Sequence, residues 1–223
     1  MANNLTLEDI NNLYFWATKL EEEPINDLSY ENIESKEDIL NLTNITARNS
    51  LPKEVFKLNR LKSLSIWVDD LTELPKEIGN LNNLNWLQIY CPNLNELPKE
   101  IWNLNNLKGL RIVCPNLKEL PKEIGNLTNL ENLTIKCPNL NELPKEIGNL
   151  NNLEKLEIKC SNLKELPKEI WNLSKFEVEF DIKNNNNNKE LLKYIVDSPN
   201  NENKDVELKI VIKEKKIKKW HIL

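Results

Sequence analysis

Four cysteines, Cys91, Cys114, Cys137 and Cys160, recur at a constant spacing of 23. Thiolates are nucleophiles and metal ligands, so this column is the first place to look for chemistry. Three kinds are open to it: a tetrahedral metal centre, a ladder of disulfides, or a catalytic thiol. A catalytic thiol needs a base to activate it, and the sole histidine, His221, lies far along the chain in the tail. The other two depend on how the sulfurs are spaced, and therefore on the elements that carry them.

The same interval rules most of the chain. The tetrapeptide Leu-Pro-Lys-Glu recurs with its proline at Pro52, Pro75, Pro98, Pro121, Pro144 and Pro167. Six copies at one period mean a stacked-repeat architecture. Between the prolines each unit carries one short strand. In the unit around Trp86, Leu84, Leu87 and Ile89 face a core while Trp86, Gln88 and Tyr90 face out, because side chains alternate along a strand. The proline phrase suits the start of a helical turn, where the missing N–H costs little. Short 3₁₀ or α turns are therefore expected on the face opposite the strands.

Stacking removes two of the three chemistries. Parallel strands repeat at about 4.8 Å, so four sulfurs in line span roughly 14 Å. They cannot converge at about 2.3 Å on one ion. In-register side chains also hold neighbouring Cβ atoms near the strand spacing, beyond the roughly 3.5–4.5 Å that a disulfide needs. The cysteines read as small, buried, reduced fillers, pointing inward in phase with Leu87 and Ile89. No catalytic residue, cofactor site or metal site is expected.

The repeat unit Leu84-Asn-Trp-Leu87-Gln-Ile89 resembles the leucine-rich repeat family, whose core pattern is L-x-x-L-x-L. The phrase Leu-Pro-Lys-Glu-Ile-Gly-Asn-Leu-x-Asn-Leu is similar to the short repeats of bacterial leucine-rich repeat proteins and of the intracellular Ras-associated group. The resemblance covers residues 38–182, six to seven repeats. It implies an α/β fold, a right-handed solenoid or horseshoe with a parallel strand face, and a binding scaffold; since only about 40 residues follow the repeats, too few for a usual domain core, no enzymatic activity is expected. One departure stands out. Such repeats place an Asn at the ninth position, where this chain has Pro92, Pro115, Pro138 and Ser161. Asn93, Asn116, Asn139 and Asn162 are candidates for part of the missing capping.

A solenoid end exposes core leucines and needs a cap. Residues 1–37 are expected to form a helical N-terminal cap. Thr6 and Asp9 make a capping-box start for an amphipathic helix over 5–22, with Leu7, Ile10, Leu13, Tyr14 and Leu20 on one face, and a second helix is expected near 25–33. An independent docking helix using Phe15 and Trp16 is the alternative. Trp102 and Trp171, in a column shared with Phe56, Gly79, Gly125 and Gly148, are expected to pack on the convex side.

Phe176, Val178, Phe180 and Ile182 alternate strictly and predict a last, irregular edge strand. Residues 183–223 then read as an α+β C-terminal cap: a polar loop at 184–188, a short helix over 191–196, a strand over 206–212 and a basic tail. Residues 205–223 hold six Lys against three acids, which reads either as a solvated edge strand guarded against aggregation or as a second, weak anionic-partner site.

The columns on the outward strand face differ most between repeats. They read Ser63, Trp86, Gly109, Asn132, Lys155; then Ser65, Gln88, Arg111, Thr134, Glu157; then Trp67, Tyr90, Val113, Lys136, Lys159. Trp, Tyr and Arg dominate binding hot spots, since they bury large area with a polar handle. Trp67, Trp86, Gln88, Tyr90 and Arg111 are therefore the candidate site for a protein or peptide partner, with Gly109 leaving space beside Trp86. The alternative is that the aromatics pack on each other or on the N-terminal cap. Lys136, Lys155, Lys159, Glu154 and Glu157 read as a solvated rim.

A net charge of −5 and a pI near 5.3 argue against nucleic acid as the partner. No segment approaches the roughly 18–20 apolar residues of a membrane span, and the start carries neither a basic region nor a long apolar run. A cytoplasmic monomer is expected, and the Asn, Lys and Ile bias suggests a bacterial source. The other reading is an effector or adaptor whose tail adds an interaction, or a solenoid that self-assembles.

Overall fold

A computed structural model describes residues 5–19, 33–173, 177–181 and 208–211. Eight parallel strands form one sheet in sequence order, β1 Asn44–Ala47, β2 Ser63–Trp67, β3 Trp86–Tyr90, β4 Gly109–Val113, β5 Asn132–Ile135, β6 Lys155–Ile158, β7 Glu177–Asp181 and β8 Leu208–Val211. From β2 to β6 each residue pairs with its equivalent in the next repeat, so Ser63, Trp86, Gly109, Asn132 and Lys155 stand in one row. The inward residues Leu64, Leu87, Leu110, Leu133 and Leu156 form the adjacent row and are fully buried.

Each Leu-Pro-Lys-Glu phrase opens a five-residue 3₁₀ turn, from Lys53–Lys57 to Lys168–Asn172. The proline sits at the N-cap, one position before the expected one. Its carbonyl closes the turn by accepting from the N–H three residues on, at 3.1 Å for Pro75 and Ile78 and 3.0 Å for Pro167 and Ile170. Proline suits this place because the N-cap needs a fixed extended φ and a free carbonyl. The apolar residue that follows, Val55 in the first turn and Ile in the others, is buried against the leucine rows.

The variable column after that residue behaves as expected: Phe56, Trp102 and Trp171 are buried. Where the column holds glycine the turns close up, and a Cβ at Gly125 would lie 2.8 Å from the Glu146 carbonyl oxygen. Large rings and glycines thus set the local spacing of the convex side.

At the N-terminal end, α1 (Leu7–Lys19) starts with the expected box: Asp9 Oδ2 accepts from Thr6 N at 2.7 Å, and Thr6 Oγ1 accepts from Asp9 N at 3.1 Å. Leu13 and Ala17 are buried, whereas Leu7 is 72% exposed and so does not share the inner face. Lys57 Nζ reaches Asp9 at 2.8 Å and ties the helix to the first 3₁₀ turn. That lysine, then the Thr6 backbone N–H, hold the Asp9 carboxyl down at about 2. Trp16 donates from Nε1 to Ser50 Oγ at 3.0 Å and packs on the core, which argues against an independently docking helix. A short helix not expected from the sequence, α2 (Lys36–Asn41), is capped by a Ser35–Asp38 box. The helix expected near 25–33 lies outside the described residues.

β7 departs from the edge-strand expectation in one respect. It pairs in register with β6, Leu156 with Val178, and β8 pairs with it in turn, so β7 is interior to the sheet. The interval from β6 to β7 is one shorter than the repeat, since Lys155 pairs with Glu177. The expected helix over 191–196, the polar loop at 184–188, His221 and the basic tail beyond 211 lie outside the described residues.

Candidate functional site

Cys91, Cys114, Cys137 and Cys160 are free and buried. The sulfur of Cys137 lies 3.9 Å from the carbonyl of Ile112, and that of Cys160 lies 3.8 Å from Ile135. Burial pushes the thiols of Cys114, Cys137 and Cys160 up to about 12. Protonated, enclosed thiols are neither nucleophiles nor metal ligands. Among the described residues no group of three or more His, Cys, Asp or Glu could hold a metal ion.

The outward strand face is different. Trp67, Trp86 and Tyr90 are each 37% exposed, three of the five large hydrophobic side chains exposed among the described residues. Parallel pairing of β2 with β3 sets Trp67 beside Tyr90, and the rings stack with centroids 4.8 Å apart. The Arg48 guanidinium stands over Trp67 at 5.5 Å from the ring centroid, a cation–π contact. The result is a row of Arg48, Trp67 and Tyr90 across three neighbouring repeats. The aromatics therefore do pack on each other, yet keep an open face. The space expected beside Trp86 is occupied: the ring of Trp86 itself lies over Gly109. Gln88 and Arg111 stand side by side in the next column, both half-buried.

The later repeats correct the expectation of a solvated rim. Glu157 is only 8% exposed and binds Lys136 at 3.0 Å and Lys159 at 2.6 Å. Thr134 Oγ1 donates to its other oxygen at 3.3 Å. Burial alone would raise this carboxyl, but the hydrogen bonds from Lys159 and Lys136 outweigh it and bring it down to about 2. Glu154 and Lys155 are exposed, as expected.

Two asparagine features bear on how the strands are held. Of the four asparagines expected to cap, Asn93 donates from Nδ2 to the Asp69 carbonyl at 3.0 Å, while Asn162 donates to the Asn139 side chain at 3.4 Å. A longer ladder runs along the turns between repeats. Asn83, Asn106, Asn129 and Asn152 each donate from Nδ2 to a backbone carbonyl of the previous repeat, at 2.6, 2.7, 2.8 and 2.8 Å. Their common spacing, equal to that of the prolines, was the available signal.

A parallel strand per repeat, a leucine core and a 3₁₀ turn on the far side define a leucine-rich repeat solenoid. A profile for the leucine-rich repeat region matches residues 38–141. A leucine-rich repeat protein of Leptospira interrogans is similar in structure at 29% identity, with a TM-score of 0.58. That match covers 78% of this chain and 49% of the other, so this chain spans about half of that relative's length. An internalin of Listeria monocytogenes shares the fold at 16% identity and a TM-score of 0.50, covering 82% of this chain and 63% of its own. PEPR1 in its complex with AtPEP1 also shares the fold, at 19% identity and a TM-score of 0.52, over 66% of this chain and 23% of its own. No curated protein matches the chain in sequence. The class is typically a non-catalytic binding scaffold. Among the described residues no helix is long and apolar enough to cross a membrane.

Proposed function

We propose that this chain is a non-catalytic scaffold that recognises a protein or peptide on its strand face, with Trp67, Trp86, Gln88, Tyr90 and Arg111 as the contact residues. The observation that carries the reading is the placement of Trp67, Trp86 and Tyr90. Three large aromatics, each more than a third exposed, stand on two adjacent strands and one face. Exposed aromatic clusters on a monomer mark binding surfaces. The sheet backbone beneath them is rigid, so their area is presented with little ordering cost on binding.

A cytoplasmic location belongs to the same reading.

The test is affinity capture from a bacterial lysate with the intact chain beside Trp67→Ala/Trp86→Ala/Tyr90→Ala, with the folding of both checked by circular dichroism. The reading requires a protein retained by the intact chain and lost from the folded triple variant. Equal retention by both would remove the strand face as the site.

A further inference from the structure

The outward positions of β1 to β6, with the residue that follows β1, β5 and β6 counted in the same columns, carry five cations against one carboxylate, and the columns continue onto β7 with Glu177, Glu179 and Asp181. The cations are Arg48, Arg111, Lys136, Lys155 and Lys159, and the carboxylate is Glu157. The whole chain is acidic at −5, so this excess is local to the first six strands and ends at the acidic β7. The one carboxylate is already held by Lys136 and Lys159. Arg111 is half-buried between Gln88 and Thr134 in the register, and makes no ion pair or hydrogen bond among the described residues. A partly desolvated guanidinium with five N–H donors and neutral neighbours is complementary to a carboxylate, which it can grip in a bidentate pair. One strand away lies the apolar surface of Trp86 and the Trp67–Tyr90 stack.

Resting on the strand-face reading above, we propose that the occupant is an extended acidic segment of a partner protein, anchored by an apolar side chain on the aromatic cluster and by carboxylates on Arg111 and on the lysines beside β5 and β6. Geometry fixes the spacing. Strands stand about 4.8 Å apart, so Arg111 lies one to one and a half spacings from the aromatic centre, and Lys136 with Lys159 about three. An extended chain advances about 3.3 Å per residue and presents every second side chain to one side. An apolar residue followed by acids two and four positions later meets all three points. Nucleic acid fits less well. The facing sides of Trp67 and Tyr90 are already stacked on each other and are closed to an intercalating base.

The test pans a phage library of random dodecapeptides on the full chain. Enriched sequences are resynthesised with a fluorescein label, and binding is followed by anisotropy at low and high salt. The proteins compared are the intact chain, Arg111→Gln, Gln88→Glu and the triple aromatic variant; labelled oligothymidylate is the control. Gln88→Glu leaves every core side chain in place and adds a like charge for an acidic ligand. We expect enriched peptides with an apolar residue followed by acids. Arg111→Gln should weaken them about tenfold or more, the size of one charge-assisted hydrogen bond. Gln88→Glu and added salt should weaken them as well. Neutral or basic peptides that bind the intact chain and fail on the triple variant would overturn the acidic ligand and leave the strand-face reading standing. Peptides bound equally by the triple variant would overturn both. No enrichment, or tighter binding of oligothymidylate than of any peptide, would overturn the peptide proposal.

Discussion

Trp86 on β3 covers Gly109 on β4 so closely that a Cβ at residue 109 would lie 2.1 Å from Cε3 and Cζ3 of the indole. The glycine is therefore a seat for the ring. Gly109→Ala must push the ring off, and on an open face the ring can swing away. The expected stability change is below about 1 kcal/mol. The effect should appear in fluorine NMR of fluorotryptophan-labelled protein as one shifted resonance, assigned through a Trp86→Phe control, and as weaker partner binding. An unshifted Trp86 resonance would show that the ring is not seated on residue 109.

The cysteine ladder predicts silence. Thiols held up at about 12 by burial are protonated at pH 8 and closed to reagents. Titration with a chromogenic disulfide should find almost no reaction in the native protein and four thiols after denaturation. Rapid native reaction of two or more would contradict their burial.

Each ladder asparagine replaces a backbone-to-water contact with an inter-repeat hydrogen bond. Asn106→Ala leaves the Asn82 carbonyl without its donor at 2.7 Å. The expected loss is about 1 kcal/mol in urea unfolding. Asn83→Ala and Asn129→Ala should cost similar amounts, since all three occupy one geometry.

The carboxyl of Glu157 sits at about 2 against an ordinary 4.5. A lowered folded-state value means the unfolded chain binds the extra proton first, so stability rises with pH across that interval. The contribution is fully present above about pH 5 and is lost as pH falls from 4.5 towards 2. On an open face, solvent screening reduces it to about 1–2 kcal/mol. Glu157→Gln should be less stable than the intact chain at neutral pH by about that amount, and the two should converge near pH 2 in denaturant midpoints. A gap that does not change with pH would assign the effect to packing instead.

Much of this architecture was legible because one number repeats. The interval of 23 between Pro75 and Pro98 is the interval between Leu64 and Leu87 in the sheet, so alternation within one unit predicted every unit. The inward cysteines, the buried Trp102 and the exposed Trp67, Trp86 and Tyr90 follow from that register. Where the interval changes, reading the sequence lost ground. Asn44 of β1 pairs with Ser63 of β2, an interval shorter than the repeat, and no Leu-Pro-Lys-Glu phrase announces β1. Contacts between columns were also hidden. Glu157 is read as solvated along its own strand, and only the neighbouring Lys136 on one side and Lys159 two residues on close it in. The Arg48–Trp67 contact joins a residue outside the expected columns to one inside them.

Site-specific photo-crosslinking is the most direct measurement of whether the strand face is the recognition surface. A benzophenone amino acid would replace Gln88, between the aromatics and Arg111, and separately Lys122, exposed on the convex 3₁₀ side. Both proteins would be irradiated in a bacterial lysate and adducts identified by mass spectrometry. The account predicts a discrete adduct from position 88 and none from position 122. An adduct from position 122 alone, or the same adducts from both, would contradict it.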